Sequence, residues 1–344
     1  MKEKIQLTDF PYLVRLNPNI PWKTRGNASI AIRIQSNREI EEILDIVWNK
    51  SIEYTEKISK SKEYNRKPGV AIIRGQTDEW FYKKAVKDVI PLNLAQEYAK
   101  KHDILIRGDR GIIGSIAAIS FKPREFTYEL ITYRPPDEWN KNKREIDPQS
   151  VIKYEEQFFP YVFANFDYIK NKVLIAPHGN DPVLYGIRGV NIESLLKGLE
   201  IINTKDKIEM AMIFKTNQAT DAHILPDSHY FYQTTEITAN VESVEIKEGG
   251  DVLIKLNDNS PVVIVYKETG ELNTAAKFLQ KGDLIKVVGA IKPSVLYGKI
   301  IEAERIEVLE LSGIEKRNPK CPKCGGPTES LGRNKGFRCK KCGY

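Results

Sequence analysis

The sequence has 344 residues, 41% of them hydrophobic and 29% charged, with a mean hydropathy of −0.41. That is too long for one ordinary core, and no apolar run reaches the ~18–20 residues of a membrane span or forms a leader, so a cytoplasmic protein with no membrane partner is expected. The formal charge is +7, and Ser312 to Tyr344 holds nine Lys/Arg against two Glu, the whole surplus. A compact cationic module points to a polyanion, most simply nucleic acid, with a solubilising tail as the plain alternative.

In chain order, the first distinctive stretch is RLNPNIPWKTRGN at 15–27. Pro18 and Pro21 fix φ and lack a donor, so no regular helix crosses it, and Asn17 and Ile20 are expected to be extended. ASIAIRI (28–34) alternates like a half-buried strand. Asn37 then caps a helix whose apolar face is Ile40, Ile43, Leu44, Val47 and Trp48. PGVAIIRG (68–75) reads as a short strand, and 78–101 as a helix broken and restarted at Pro91. ILIRGDRGIIGSIAAISF (104–121) reads as strand, glycine loop and small-residue helix. Such alternation predicts an α/β or α+β domain.

TYELITYRP (127–135) opens a second region. It runs through VLIAPHGNDPVLYGIRG (173–189), a helix after Asn191 and the strand EMAMIFKTNQATDAH (209–223), a pattern that suits a ferredoxin-like layer. From Glu236 five strands follow, with a short helix between the third and fourth, the order of the OB barrel.

Chemistry concentrates in a few motifs. Cys321-Pro-Lys-Cys324 and Cys339-Lys-Lys-Cys342 are all the cysteines present, and a glycine follows each pair. Two such knuckles supply four thiolates for a closed, structural Zn2+ site, which would leave the tail at about +5. GDRGIIG (108–114) sets glycines before a helix N-terminus, where free N–H groups suit phosphate, although packing turns use the same spacing. KTRGN (23–27) offers Lys, Thr and Arg to a triphosphate or an RNA backbone, without the Walker order, and is equally readable as a solvated basic loop. His178, Asp181 and Arg188 share one loop rich in glycine and proline, and Asp221 and His223 end a strand. Carboxylates there suit a cation or turn capping equally.

Together RLNPNIPWKTRGN (15–27), GDRGIIGSIAAI (108–119), YELITYR (128–134), VLIAPHGNDPVLYGIRG (173–189) and KTNQATDAH (215–223) resemble the archaeal agmatidine synthase family, in the family's order along nearly the whole chain. The resemblance implies an ATP-dependent C–N ligase that attaches agmatine to the wobble cytidine of isoleucine tRNA (CAU anticodon). A kinase-like domain phosphorylates the cytosine carbonyl oxygen, agmatine displaces phosphate, and AMP and phosphate are by-products. ATP with Mg2+ is the nucleotide substrate, and the OB fold and ribbon grip the tRNA.

Lys23, Thr24 and Arg25 are the expected catalytic residues. Gly26, Asn27, Gly108, Arg110, Gly111 and Gly114 are expected around the nucleotide phosphates. His178, Asp181 and Asp221 are candidates around agmatine, whose guanidinium wants a carboxylate. Cys321, Cys324, Cys339 and Cys342 hold the zinc.

In one respect the sequence departs from the family. The family's opening strand ends in Gly-x-Asp-Asp-Thr-Asp, whereas MKEKIQLTDF carries Asp9 as its lone aspartate. The expected fold class is therefore α+β and multidomain, with boundaries at 1–126 (kinase-like, N-terminally incomplete), 127–233 (ferredoxin-like), 234–312 (OB fold) and 313–344 (zinc ribbon). The alternative is a non-enzymatic OB-fold and ribbon protein that binds RNA or single-stranded DNA.

Overall fold

The computed structural model describes residues 5–23, 27–57, 63–141, 143–179, 182–257, 259–313, 318–332 and 335–344. Its organising element is a six-stranded sheet, in the order Ala28–Ala31, Tyr12–Arg15, Met210–Thr216, Thr127–Tyr133, Val183–Gly189, Val162–Phe163. All neighbours are antiparallel except Tyr12–Arg15 on Met210–Thr216, where Lys215 faces Tyr12 and Thr216 faces Leu13 in parallel. One sheet thus runs across residue 127. The strand Tyr12–Arg15, which local pattern did not reveal, is buried on both faces and joins the two halves.

The alternation in ASIAIRI is inverted relative to expectation. Ile30 and Ile32 face outward, Ala31 is buried, and the sheet strand stops at Ala31. The cause is the helix Gly111–Ser120, whose small residues come so close that a Cβ on Gly114 would lie 3.3 Å from the Cβ of Ser29. Only small side chains fit that face.

Behind this helix stands the two-stranded ladder Gly69–Ile72 with Leu105–Gly108. Phe81, Ala85, Ala95, Tyr98, Ile112 and Ile116 form the core between ladder and helices. The helices Trp80–Lys87 and Leu92–Lys101 are separate, the second starting after Pro91.

Apart from the short hairpin Phe166–Asp167 with Lys172–Val173, residues 127–216 run strand, helix, strand, strand, helix, strand. The helices Pro148–Phe158 and Ile192–Ile201 are capped by the side chains of Asp147 and Asn191, which accept from the amides of Gln149 and Ser194. Tyr154, Leu184, Ile187 and Leu195 fill the core they share with the sheet.

The barrel comprises Thr234–Ile246, Val252–Leu256, Val262–Val265, Leu284–Ser294 and Gly298–Glu310, with the helix Glu271–Ala276 between the third and fourth strands. The first strand pairs with both the second and the fourth, and the third runs parallel to the fifth, so the sheet closes in the OB order. A register shift between Val241 and Ser243 lets the long first strand serve both partners. Last comes a hairpin, Thr328–Ser330 with Phe337–Cys339.

Candidate functional site

The stretch 15–27 is the connection between the adjacent strands Tyr12–Arg15 and Ala28–Ala31, begun by the Leu16 amide donating to Asn27 O at 2.9 Å. Its asparagines are buried staples. Asn17 Nδ2 donates to Lys87 O (3.1 Å) and Tyr232 O (2.9 Å), while Asn17 Oδ1 accepts from the Asn19 amide (2.8 Å). Asn19 Nδ2 reaches Thr234 Oγ1 (2.9 Å) and Asn19 O accepts from Lys292 Nζ (2.8 Å), both on the barrel. Burying amides is costly unless their polar atoms find partners, and both Nδ2 groups and Asn17 Oδ1 do. The loop is consequently pinned to the barrel by its own sequence.

Between loop and barrel lies a cavity of about 430 Å³. Arg15, Lys23 and Asn27 line it from the loop, Asn217, Gln218 and His223 from the segment after the strand Met210–Thr216, and Glu304 from the barrel. Asn217 extends the parallel ladder with its side chain, accepting from the Arg15 amide (2.7 Å) and donating to Arg15 O (2.9 Å). It also lies 3.2 Å from the Tyr82 hydroxyl, whose pKa burial pushes up to about 12.

Below Arg15 is Glu129, a buried carboxylate in the middle of the sheet. Arg15 Nη2 donates to Glu129 Oε2 at 2.9 Å and Oε1 at 3.3 Å, and Arg188 Nε stands 3.7 Å away. Two guanidiniums sharing one carboxylate leave a net positive charge at this end of the sheet. Across the cavity Glu304 Oε2 meets His223 Nε2 at 3.2 Å. The cavity therefore offers cations to an anion on the loop side and a carboxylate to a cation on the barrel side.

The sequence candidates distribute unevenly around this cavity. Lys23 and Asn27 line it, whereas Thr24, Arg25, Gly26 and Asp181 lie outside the described residues. Arg110 comes beside the loop, its guanidinium 5.4 Å from the Trp22 ring centre.

The amide of Gly111 donates to Lys67 O (2.8 Å) and those of Ile112 and Ile113 to Asp109 O and Arg110 O. Gly108 and Gly111 lie so near Pro68 and Gly69 that a Cβ on either would fall within 2.4 Å of backbone. Close packing is what those two glycines visibly serve.

Asp221 accepts from Arg305 Nη1 at 2.9 Å on the barrel rim. His178 belongs to the other end of the sheet. Its loop is tied by Arg144 to Pro177 O, Gly179 O and Val183 O, and Val183 is in register with Tyr133, six residues along from the Thr127–Thr216 pair. At ~3.3 Å per residue that is roughly 20 Å from the segment holding Asp221.

Residues that sequence reasoning passed over are Arg15, Glu129, Asn217 and Glu304. For Glu129 a signal existed: a lone carboxylate inside the apolar strand TYELITY requires a cationic partner.

The four cysteine sulfurs converge within 4.8 Å of one another, with Cys321–Cys342 at 3.6 Å and Cys324–Cys339 at 3.5 Å. Four thiolates 2.3 Å from one Zn2+ need about this spacing. Amides of Cys342 and Lys341 donate to Cys339 Sγ and hold its thiol down at about 6, ready to ligate as thiolate. Among the described residues this is the one group of three or more such side chains arranged to hold a metal. No helix among them is long and apolar enough to cross a membrane.

A cationic and acidic cavity between an α+β body and an OB-ordered barrel, with a four-thiolate knuckle appended, defines a multidomain protein built to act on nucleic acid. The chain belongs to the TiaS family. Models of the TiaS TCKD domain match residues 1–109, of the TiaS FLD domain residues 109–223, and of the TiaS C-terminal zinc ribbon domain residues 318–344. The 2-agmatinylcytidine synthetase TiaS of Saccharolobus islandicus, which by its name acts on an isoleucine tRNA, is 52% identical over 98% of this chain and 77% of its own length. A crystal structure of TiaS in complex with an isoleucine tRNA and ATP superposes with a TM-score of 0.82 at 32% identity, covering 98% of this chain and 81% of that one. One of TiaS with an isoleucine tRNA, AMPCPP and agmatine does so with a TM-score of 0.76 at 28% identity, covering 96% and 81%.

Proposed function

We propose that the chain attaches agmatine to the wobble cytidine of isoleucine tRNA with the CAU anticodon, using ATP. The observation that carries this reading is the meeting of the two sequence segments 15–27 and 215–223, with Arg15, Lys23 and Asn27 facing Asn217 and His223 across one cavity. ATP phosphorylates the cytosine carbonyl oxygen. The primary amine of agmatine then attacks that ring carbon, and phosphate leaves with the former carbonyl oxygen. Cationic side chains balance the charge on the transferring phosphoryl group.

Within this reading, Lys23 with Thr24, Arg25, Gly26 and Asn27 handles the phosphates, and Arg110 joins them through its contact with Trp22. Gly108, Gly111 and Gly114 act by allowing the close approach that brings Arg110 there. Glu304 and Asp221 are the carboxylates on the side that suits the agmatine guanidinium, whereas His178 lies at the other end of the sheet. Mg2+ accompanies the nucleotide phosphates. Zn2+ on Cys321, Cys324, Cys339 and Cys342 shapes the ribbon.

The order strand, helix, strand, strand, helix, strand over 127–216, with its sheet arranged 4-1-3-2, supports a ferredoxin-like unit at 127–233. A kinase-like catalytic unit at 1–126, the OB fold at 234–312 and the ribbon at 313–344 complete the proposed division. The non-enzymatic alternative is not favoured, since the relatives are synthetases by name. The test is incubation of the protein with ATP, labelled agmatine and a transcript of the CAU-anticodon isoleucine tRNA, followed by nucleoside mass spectrometry. Label at the wobble cytidine is the expected result, and its absence with zinc-loaded, folded protein overturns the proposal.

A further inference from the structure

Beside the cavity mouth, rings and cations alternate over the joint between sheet body and barrel. Arg110 lies 5.4 Å from the centre of the Trp22 ring, Trp22 lies 6.5 Å from Tyr232, and Lys292 Nζ sits 5.5 Å from Tyr232 on the barrel side. Tyr232 adjoins Phe231 at 6.4 Å, and Lys299 Nζ lies 5.2 Å from the Phe231 ring. Four separate segments of chain build this row: the loop at 15–27, Arg110 before the helix Gly111–Ser120, the connection 227–233, and the hairpin of the strands Leu284–Ser294 and Gly298–Glu310.

The row is held rigid from beneath. Asn17 Nδ2 donates to Tyr232 O, Lys292 Nζ to Asn19 O, and Lys299 Nζ to His229 O at 2.7 Å. It is nevertheless open above. Trp22 is 54% exposed, Phe231 43% and Tyr230 75%, while Val295 and Leu296 stand at the hairpin tip fully in solvent.

Exposing that much aromatic surface on fixed backbone is unfavourable unless a ligand covers it. A protein partner's apolar patch would exclude charges from its core, yet here a cation borders nearly every ring. Interleaved rings and cations at the spacing of this row match unpaired nucleotides: bases stack on the rings and phosphates meet the lysines. The row starts at Lys23 and Trp22, residues next to the cavity, so a strand with one nucleotide in the cavity would pass its neighbours directly onto it.

We infer that Trp22, Tyr230, Phe231 and Tyr232, with Arg110, Lys292 and Lys299, form a stacking track for the unpaired nucleotides that flank the modified cytidine. This rests on the function proposed above.

The test measures binding of the full chain to a transcript of the CAU-anticodon isoleucine tRNA, to its anticodon stem-loop, and to a perfectly paired duplex of equal length. Trp22→Leu and Phe231→Leu should each weaken stem-loop binding about tenfold, with Trp22→Phe restoring most of it and the duplex unaffected. Lys299→Gln should lower the slope of log affinity against log salt by about one, while the two Leu variants leave it unchanged. Melting temperature, read alongside, should not move, because both rings are exposed. If the wild type neither binds nor modifies the tRNA, the functional reading fails. If it does both and the Leu variants bind within about twofold of it, or weaken duplex binding equally, the track is refuted.

Discussion

Replacing Glu129 by Gln isolates the electrostatic device under the cavity. The shape survives, but the one negative charge between Arg15 and Arg188 disappears. In the wild type Glu129 is 4% exposed and takes both of its short contacts, 2.9 and 3.3 Å, from Arg15, with Arg188 at 3.7 Å. Beside it on the neighbouring strand Gly186 has no side chain, and a Cβ there would already touch the carboxylate oxygen at 3.4 Å.

Breaking a buried pair by removing one partner costs about 3–5 kcal/mol, because the other charge stays buried. The side chains of Arg15 and Arg188 keep 28% and 32% of their exposure, which water screens, so the low end, about 3 kcal/mol, applies. For a unit the size of the sheet body that lowers the melting temperature by roughly 6–12 °C. Differential scanning calorimetry of the full chain reads the shift. Glu129→Gln with Arg188→Leu removes one of the two stranded cations and should recover about half the loss. A single variant melting within about 1 °C of wild type would refute the reasoning.

Three further outcomes are expected. Gly111→Ala drives a Cβ to 2.3 Å from the Gly69 amide nitrogen and should cost about 3 kcal/mol or prevent soluble expression, whereas Gly249→Ala, with nothing within 4 Å, should melt like the wild type. Burial alone would raise the Asp283 pKa, but the amides of Gln280 and Ser312 and the Ser312 hydroxyl outweigh it and hold the carboxyl below its ordinary value. A carboxyl depressed in the folded state stabilises above the unfolded value and loses that contribution as pH falls, so Asp283→Asn should cost about 1.5–3 kcal/mol at pH 7, with the gap to wild type closing below pH ~4 in a pH series of urea melts. Metal analysis should find one Zn2+ per chain and none in Cys339→Ser. Chelation should then raise amide exchange across the hairpin Thr328–Ser330 with Phe337–Cys339 and leave exchange in the barrel unchanged.

What could be read from the sequence was whatever is local. The barrel's strands are bounded by their own turns, and each cysteine pair makes its own knuckle, so both were legible without tertiary information. The strand Tyr12–Arg15 was not, because its defining partner, Met210–Thr216, lies some two hundred positions away and the pairing leaves no local period. The glycines of GDRGIIG illustrate a different limit. A phosphate loop and a tight strand-to-helix contact both demand a missing Cβ, so the pattern alone cannot separate them. Nothing in sequence marks Asn17 and Asn19 as amides that will be buried against the barrel. Nor does the sequence reveal that strand direction sets the loop of His178 and the segment of Asp221 at opposite ends of one sheet.

The parallel pairing of Tyr12–Leu13 with Lys215–Thr216 also sets a timetable for the ribosome. An apolar strand made early must wait until residues beyond Thr216 have left the exit tunnel before it can take its place. At 5–20 residues per second that is about 10–40 s, long against the micro- to millisecond closure of a local hairpin. During that interval Tyr12, Leu13 and Val14, all buried in the finished molecule, can pair with Ala28–Ala31 on one edge but lack the strand that covers the other. The loop that hangs from this strand is consequently among the last pieces of the nascent chain to reach its final place.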